Sequence, residues 1–555
     1  MDANKYLELW KKHVTDVALL EEITGITDTN EIANRFSGYL QFGTAGLRGI
    51  LGAGTRYINK YTILKATLGI INYLKENFKD ASVCIAYDNR KYSQKFATLS
   101  ANLFDNNGIK TYLFNELTPT PVLSFAVRKF KTTLGINITS SHNPKEYNGY
   151  KVVNSDGCQI STEQAELITK YIMKANEFDI NFDSLEKKSH ENITKLDNAI
   201  TDDFIEISKA SLNNYTSKNN LKIIFTPLHG TGFYAIPKIL KDMKFEFSYP
   251  VQQSKPDENF TTCKNPNPEL VEAFSESLIM KESKNADIII ASDPDADRLG
   301  VMVKHNGEFI RLTGDELGLI FLNHAINEKK QNRLLSENSF VITTVVSSML
   351  STKICEKNNI CCFRELTGFK NLGERMELEI KKNNPQDFII AYEESCGYLL
   401  TTHHRDKDAI TAAAYIAIIA DQIKSKNKTL IDYVEDIFKQ YGYILNNNVS
   451  INYIGIEGAN AIIKVIEGLR EQEINYIGDF KVEEKIDYLL DNTGLEPSNF
   501  LEFKLDKGCN VIIRPSGTEP KLKLYYSSYN PDKEKCKTNM NLLVYSVEEM
   551  LKSLR

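Results

Sequence analysis

The sequence predicts an α/β protein of several domains, three built from βαβ units around mostly parallel sheets and a smaller α+β domain at the C-terminal end. Three observations carry this. A chain of 555 residues is too long for one hydrophobic core. A strand and helix order repeats along most of it, each pass closing on an apolar strand that runs into a short polar loop. From about Tyr441 the rhythm changes, with strands following one another more closely.

In the first pass, residues 61–78 ("YTILKATLGIINYLKENF") carry a helical period, and the short apolar runs "SVCIAYD" and "TLGINIT" follow. The second pass reads as strand "LKIIFTP", a helix over 234–243 and strand "DIIIASD"; the third as "SFVITTVV", a helix from Ser348 and "DFIIAYEE". The strands end in "INITSSHNP", "IIIASDPDADR" and "IIAYEESCG". Ligands of open α/β sheets bind just beyond the carboxyl ends of strands, so these loops are expected to converge on one cleft. The tail reads as strand "NVSINY", helix "GANAIIKVIEGLR", strands "FLEFKLD", "CNVIIRPSG" and "LKLYYSSY", then a helix from Asp532. Boundaries near 205, 308 and 440 give domains 1–205, 206–307, 308–440 and 441–555.

Composition narrows the function classes. With 42% hydrophobic and 25% charged residues the chain reads as an ordinary soluble protein. A net charge of -6 gives no general attraction to nucleic acid or to an anionic membrane, so an anionic ligand must meet a local basic site. No long apolar run and no signal-peptide pattern at "MDANKYLELWKKH" point to the cytoplasm. The nine cysteines lack CxxC spacing and read as reduced thiols.

"SDPDADR" sets Asp293, Asp295 and Asp297 at alternate positions, where three carboxylates repel unless a cation lies between them. An EF-hand loop would need Gly and Glu where Arg298 and Lys304 stand. An aspartyl-phosphate motif would need Thr or Val where Asp297 stands. A metal loop is the preferred reading, ahead of an aspartyl-phosphate loop and a solvated surface turn, with Mg²⁺ as the hard cation expected on oxygen ligands. "RPSGTEPKLK" offers Arg514, two hydroxyls, Gly517 and two lysines, a set suited to phosphate. "HHRDKDA" adds Arg405 and Lys407, and "LTGFKNLGE" adds Lys370.

"YEESCGY" holds Glu393, Glu394 and Ser395 after an apolar strand, a place for acceptors that grip sugar hydroxyls. A glycosidase reading of the paired carboxylates fails, because sequence neighbours on a strand face opposite ways. In "TSSHNP", His142 beside Ser140 and Ser141 lacks the GxSxG elbow of a hydrolase and reads as an orienting or substrate-contacting residue. His229 reads as structural, and His403 and His404 as surface residues.

Taken in order, "FGTAGLRG", "TSSHNP", "DPDADR", "EESCG" and "RPSGTEPK" closely resemble the α-D-phosphohexomutases, the phosphoglucomutase and phosphomannomutase superfamily, over nearly the whole chain. The resemblance implies a heart-shaped, four-domain protein, three α/β domains with mixed sheets plus a smaller C-terminal α+β domain, with one loop from each lining a central cleft. It implies that Ser141 carries a phosphoryl group and joins Asp293, Asp295 and Asp297 on Mg²⁺. Glu393 and Ser395 would contact sugar hydroxyls, and Arg514, Ser516, Gly517 and Thr518 would hold the phosphate that is not reacting. Arg48, His142, Lys151, Arg298, Lys370 and Lys407 would line the cleft, Lys151 as a candidate for proton transfer.

The implied reaction interconverts a hexose 1-phosphate and 6-phosphate, with glucose 1,6-bisphosphate as activator and intermediate. Glucose phosphate is the preferred substrate, with mannose and then pentose phosphates as alternatives. Gly397 stands where members acting on both glucose and mannose phosphates often carry His. The implied partners are small sugar phosphates, with no nucleic acid or membrane, on a monomer or weak homodimer. The rival from another class is a sugar-phosphate sensor without turnover.

Overall fold

The structure is a computed structural model that describes residues 2–43, 46–186, 191–453, 455–515 and 521–553. The chain forms two compact units, Met1–Gly314 with Phe369–Thr429, and Asp315–Gly368 with Leu430–Arg555. Among the described residues no helix is long and apolar enough to cross a membrane.

The first unit opens with three short helices, Ala3–His13, Val17–Thr24 and Thr29–Phe36, each started by an aspartate whose side chain accepts from the first turn. They close over Trp10, which packs against Phe36 and Tyr61. The six strands β1 (Leu47–Ile50), β2 (Ser82–Tyr87), β3 (Lys110–Phe114), β4 (Leu134–Ile138), β5 (Tyr147–Asn154) and β6 (Ile193–Leu196) form a sheet in the order β1-β5-β4-β2-β3-β6. Parallel pairing joins β4, β2, β3 and β6, while β5 runs antiparallel to β4 and β1 antiparallel to β5. Every residue of β4 is buried, which is why it reads as an apolar run broken only by Asn137, whose side chain donates to Thr120 Oγ1.

The predicted helix over 61–78 is Lys60–Asn77, and its start has a local cause. Asn59 accepts from the backbone of Tyr61 and Thr62, while the Thr62 hydroxyl accepts from Asn59 N–H at 3.0 Å, a capping box.

A second sheet of the same unit contains β7 (Lys222–Thr226), β8 (Glu246–Ser248), β9 (Ile288–Ser292), β10 (Leu299–His305) and β11 (Glu308–Arg311), in the order β11-β10-β9-β7-β8. Here β7 pairs in parallel with β8 and β9, and β10 returns antiparallel to β9. In the second unit, β12 (Phe340–Thr344) and β13 (Cys361–Glu365) pair in parallel. Back in the first unit, β14 (Phe388–Glu393) and β15 (Gly397–Leu399) form an antiparallel pair.

The sheets are therefore mixed where the βαβ rhythm alone suggests mostly parallel ones. The loops after β4, β9 and β14 are hairpin connections, from which the chain returns as an antiparallel neighbour. A short return strand pins both ends of each loop, which a crossover to a distant helix would not do.

The rest of the second unit is the expected α+β tail. Strands β16 (Tyr443–Asn452), β17 (Tyr476–Ile477), β18 (Phe480–Asp487), β19 (Leu501–Leu505), β20 (Cys509–Pro515) and β21 (Lys521–Asn530) form an antiparallel sheet. Helices Gly455–Glu471 and Lys533–Ser553 contribute Val465, Leu469, Leu543 and Val547 to the core that it shares with Phe503, Val511 and Leu524.

Candidate active site

The loop after β4 separates the two serines. Ser141 has φ of +51°, a left-handed conformation uncommon outside glycine, and its N–H donates to Thr139 Oγ1 at 2.9 Å. Its hydroxyl donates to Asp293 Oδ2 at 2.8 Å and lies 3.3 Å from His142 Nδ1. Ser140 is fully buried, and its hydroxyl has no hydrogen-bond partner among the described residues. Ser141 is thus the serine turned toward charged groups.

The loop between β9 and β10 supplies those groups. Asp293, Asp295 and Asp297 are completely buried, and one carboxylate oxygen from each lies within 4.8 Å of the others. The Asp293 Oδ1 atom accepts from Asp297 and Arg298 N–H at 3.0 and 2.9 Å, which folds the loop around that carboxylate. Asp295 Oδ2 accepts from Lys151 Nζ at 2.5 Å and Thr120 Oγ1 at 2.8 Å. Asp297 Oδ2 lies 2.9 Å from Lys407 Nζ and 3.3 Å from Lys151 Nζ.

Oδ1 of Asp295 and Oδ1 of Asp297 are buried without a hydrogen-bond partner among the described residues. Unpaired buried carboxylate oxygens are costly, and oxygens alone crowded into this space fit a hard divalent cation. Burial, followed by the charges of Asp295 and Asp297, pushes the Asp293 carboxyl well above the ordinary range. Burial acts the same way on Asp295, but Lys151, the hydrogen bond with Asp293 and the charge of Lys407 together outweigh it and hold that carboxyl far below the usual range.

The cations are held by the same carboxylates. Lys151, on β5, is buried; desolvation lowers its pKa, and Asp295 and Asp297 raise it by more. Lys407 behaves likewise, burial being outweighed by Asp297, Asp406 and Glu393. Arg298 donates to Glu269 Oε1 at 2.5 Å and to the Ser395 carbonyl at 3.0 Å, which ties the metal loop to the loop after β14. In that loop, burial raises the pKa of Glu393 against Lys407 and Arg298, and the carboxylate hydrogen-bonds to the Ser395 side chain. Arg48 donates to Asn143 Oδ1 at 3.2 Å, and burial followed by the charge of Arg298 lowers its pKa. Burial and then Arg298 and Arg48 hold His142 well below the ordinary imidazole range, so it is neutral at pH 7.

Ser141, His142, Arg48, Lys151, the three aspartates, Arg298, Glu393, Ser395 and Lys407 form one connected set within the first unit. Lys370 is engaged differently, its ammonium donating to Thr162 Oγ1 at 2.8 Å. In the second unit, Arg514 donates through Nη2 to the Tyr525 hydroxyl at 2.9 Å, and its guanidinium lies 5.2 Å from the Phe500 ring centroid. Ser516, Gly517 and Thr518 lie outside the described residues.

His403 and His404 are not surface residues. Both rings pack on Phe204, and His404 is fully buried. Arg405 is buried too, donating to Glu377 at 2.7 Å. Sequence reasoning missed Thr120, Glu269 and Arg90. For Thr120 there was a signal, "TPTP", since a proline at the first helical turn marks the start of Thr120–Phe130.

Family models match four consecutive stretches of the chain. They are phosphoglucomutase/phosphomannomutase alpha/beta/alpha domain I at residues 39–179, domain II at 201–307, domain III at 313–441, and the C-terminal domain at 478–538. A phosphoglucomutase of Staphylococcus aureus (strain MRSA252) is 35% identical over 555 residues, covering 97% of this chain and 98% of that protein. Among solved structures, the open form of parafusin, a phosphoglucomutase from Paramecium, aligns with a TM-score of 0.68 at 19% identity, covering 93% of this chain and 95% of that one. N-acetylphosphoglucosamine mutase of Aspergillus fumigatus, in complex with GlcNAc-6P and magnesium, aligns with a TM-score of 0.53 at 12% identity, covering 92% and 96%.

Proposed function

Because this chain belongs to the phosphoglucomutase/phosphomannomutase family, and is thus an isomerase that acts by phosphoryl transfer, we propose that it interconverts α-D-glucose 1-phosphate and glucose 6-phosphate. The observation that carries the reading is the Ser141 hydroxyl 2.8 Å from a buried aspartate of a three-carboxylate cluster. A serine hydroxyl so placed can carry a phosphoryl group beside both a cation site and lysines.

In this reading phosphoserine 141 donates its phosphoryl group to the free hydroxyl of a hexose phosphate. The serine O–P bond breaks as the sugar O–P bond forms, giving glucose 1,6-bisphosphate. The bisphosphate turns over and returns its other phosphate to Ser141. Lys151, held protonated beside Asp295 and Asp297, gives a proton to the oxygen that each transfer releases, Ser141 Oγ in the first and the sugar oxygen in the return, and regains one from the hydroxyl that attacked.

Asp293, Asp295 and Asp297 would hold Mg²⁺, a role consistent with the magnesium in the Aspergillus fumigatus complex, with a Ser141-bound oxygen as a further ligand. When bound, the ion would supply positive charge to offset the negative charge on the phosphoryl oxygens. Arg48, Arg298 and Lys407 orient the phosphoryl group, and neutral His142 offers it a hydrogen bond. Glu393 and Ser395 bind sugar hydroxyls. The distal phosphate is assigned to Arg514, Ser516, Gly517 and Thr518, with Lys370 a further contact.

We assign the chain the domains 1–205, 206–307, 308–440 and 441–555. The cytoplasm suits a protein whose nine cysteines are all free thiols. Glucose 1,6-bisphosphate would also restore phosphoserine by priming Ser141. The test compares kcat/KM for the 1-phosphates of glucose, mannose and ribose, with Mg²⁺ and glucose 1,6-bisphosphate. The glucose assignment requires the largest value for glucose 1-phosphate; a larger value for mannose or ribose reassigns the substrate, and no turnover of any overturns the mutase reading.

A further inference from the structure

We propose that Arg90 is a positioning residue for phosphoryl transfer, its planar guanidinium fork fixing the backbone from which Ser141 acts; this rests on the mutase reading above. Arg90 lies in the turn after β2, 2% exposed. Its Nη2 donates to the Ser141 carbonyl at 2.5 Å and to that of Asn143. Its Nη1 donates to the carbonyls of Pro144 and Tyr147 at 2.8 and 3.1 Å. One side chain thus receives four carbonyls of the loop that bears the serine, with no contact to the serine hydroxyl.

The guanidinium meets a carboxylate and an aromatic ring, and the turn that bears it is tied down as well. Asp88 Oδ2 lies 3.2 Å from its Nε, and Oδ1 of the same residue accepts from Arg90 N–H at 2.9 Å and Ser93 Oγ at 2.7 Å. Asn148 Nδ2 donates to Ser93 Oγ and to the Lys91 carbonyl, both at 3.0 Å, tying the turn to β5. The ring of Phe260, from the segment between β8 and β9, has its centroid 5.0 Å from the guanidinium carbon.

The link to chemistry runs through the Ser141 backbone. A non-glycine residue at φ +51° persists only where its surroundings over-determine it. Thr139 Oγ1 holds the N–H of Ser141 and Arg90 holds its carbonyl, so both flanking peptides are fixed. Rotation of either would swing Oγ away from Asp293. Lysine would keep the charge, but its single nitrogen cannot span carbonyls that two arms of a fork reach.

The test uses the full-length wild type, Arg90→Lys and Asp88→Asn, each with Mg²⁺ and glucose 1,6-bisphosphate. Initial rates on glucose 1-phosphate are measured with Ser141 phosphorylation by intact mass. Arg90→Lys is expected to lower kcat by roughly 100-fold while KM stays within about threefold, the split that misplacement of a donor produces. Equal kcat in the two proteins, or a loss confined to KM, overturns the proposal.

If Arg90→Lys does not fold, Asp88→Asn decides, since the amide that replaces the carboxylate can keep the Oδ1 contacts while losing the charge that faces Nε. Its kcat should fall about tenfold at unchanged KM, and wild-type kcat there overturns the proposal. A wild-type chain that takes no phosphoryl group overturns the mutase reading and the role of Arg90 with it. A wild type that turns over beside an equally active Arg90→Lys overturns the role of Arg90 alone.

Discussion

The Ser141 hydroxyl donates to Asp293 Oδ2 at 2.8 Å, joining residues 152 positions apart. The contact brings the loop after β4 to the loop after β9, and it distinguishes Ser141 from its neighbour. Ser141→Ala is expected to cut turnover by roughly 10³-fold or more, since it removes the hydroxyl that reaches Asp293 of the carboxylate cluster. Ser140→Ala should keep activity within about threefold and leave stability unchanged or slightly higher, because it removes a buried hydroxyl that lacks a partner. Steady-state rates and melting curves of both variants check this; equal losses would sink the choice of Ser141.

The unpaired oxygens of Asp295 and Asp297 lead to a metal prediction. Mg²⁺ at 100 times its dissociation constant should stabilise the folded chain by about 2.7 kcal/mol, and a chelator should abolish both this and turnover. Asp295→Asn should blunt the response while leaving a folded protein. Melting temperature against Mg²⁺ concentration is the measurement, and identical curves for wild type and variant would remove the cluster as the metal site.

Much of this was legible in the sequence, for physical reasons. A strand buried on both faces is mostly apolar, so "GINI" and "DIIIASD" announce β4 and β9. Alternate aspartates on a short loop can face one point, so the three-carboxylate cluster is legible in "DPDAD". Contacts across long separations leave no such trace. Thr120 reaches Asp295 from 175 positions away, Arg90 holds its loop from more than 50 away, and nothing near either announces the partner. The strand pattern alone did not show the antiparallel returns, because a short buried strand reads the same in either direction; the mixed sheets were implied by the family resemblance. His403 and His404 looked polar enough for the surface, yet Phe204 covers both.

Those histidines set an acid limit on stability. Burial, then the charges of Arg405 and Arg128, pull His403 down to about 3 from an ordinary 6.5. A base with a depressed folded pKa binds fewer protons folded than unfolded, so its contribution is present above pH 6.5 and is lost as pH falls toward 3. His403→Phe keeps a ring against Phe125 and Phe204 and removes the titrating group. Its melting temperature should fall less steeply than that of the wild type across that window, and parallel acid limbs would exclude His403 as a cause.

Gly397 supplies the last test, because its missing side chain makes room for a catalytic one. A Cβ there would come within 2.6 Å of Lys407 Cδ and 2.9 Å of Glu393 Oε1. Both neighbours are side-chain atoms, so the fold can yield at about 1 kcal/mol, at the low end for overpacking. The displacement would fall on the ammonium that sits 2.9 Å from Asp297 and on the carboxylate proposed to grip the sugar. Gly397→Ala is therefore expected to lower kcat/KM by about 10- to 100-fold with little change in melting temperature, since a misdirected group costs more in rate than in stability. Wild-type kcat/KM in this variant would mean that Lys407 reaches Asp297 by a path that Gly397 does not guard.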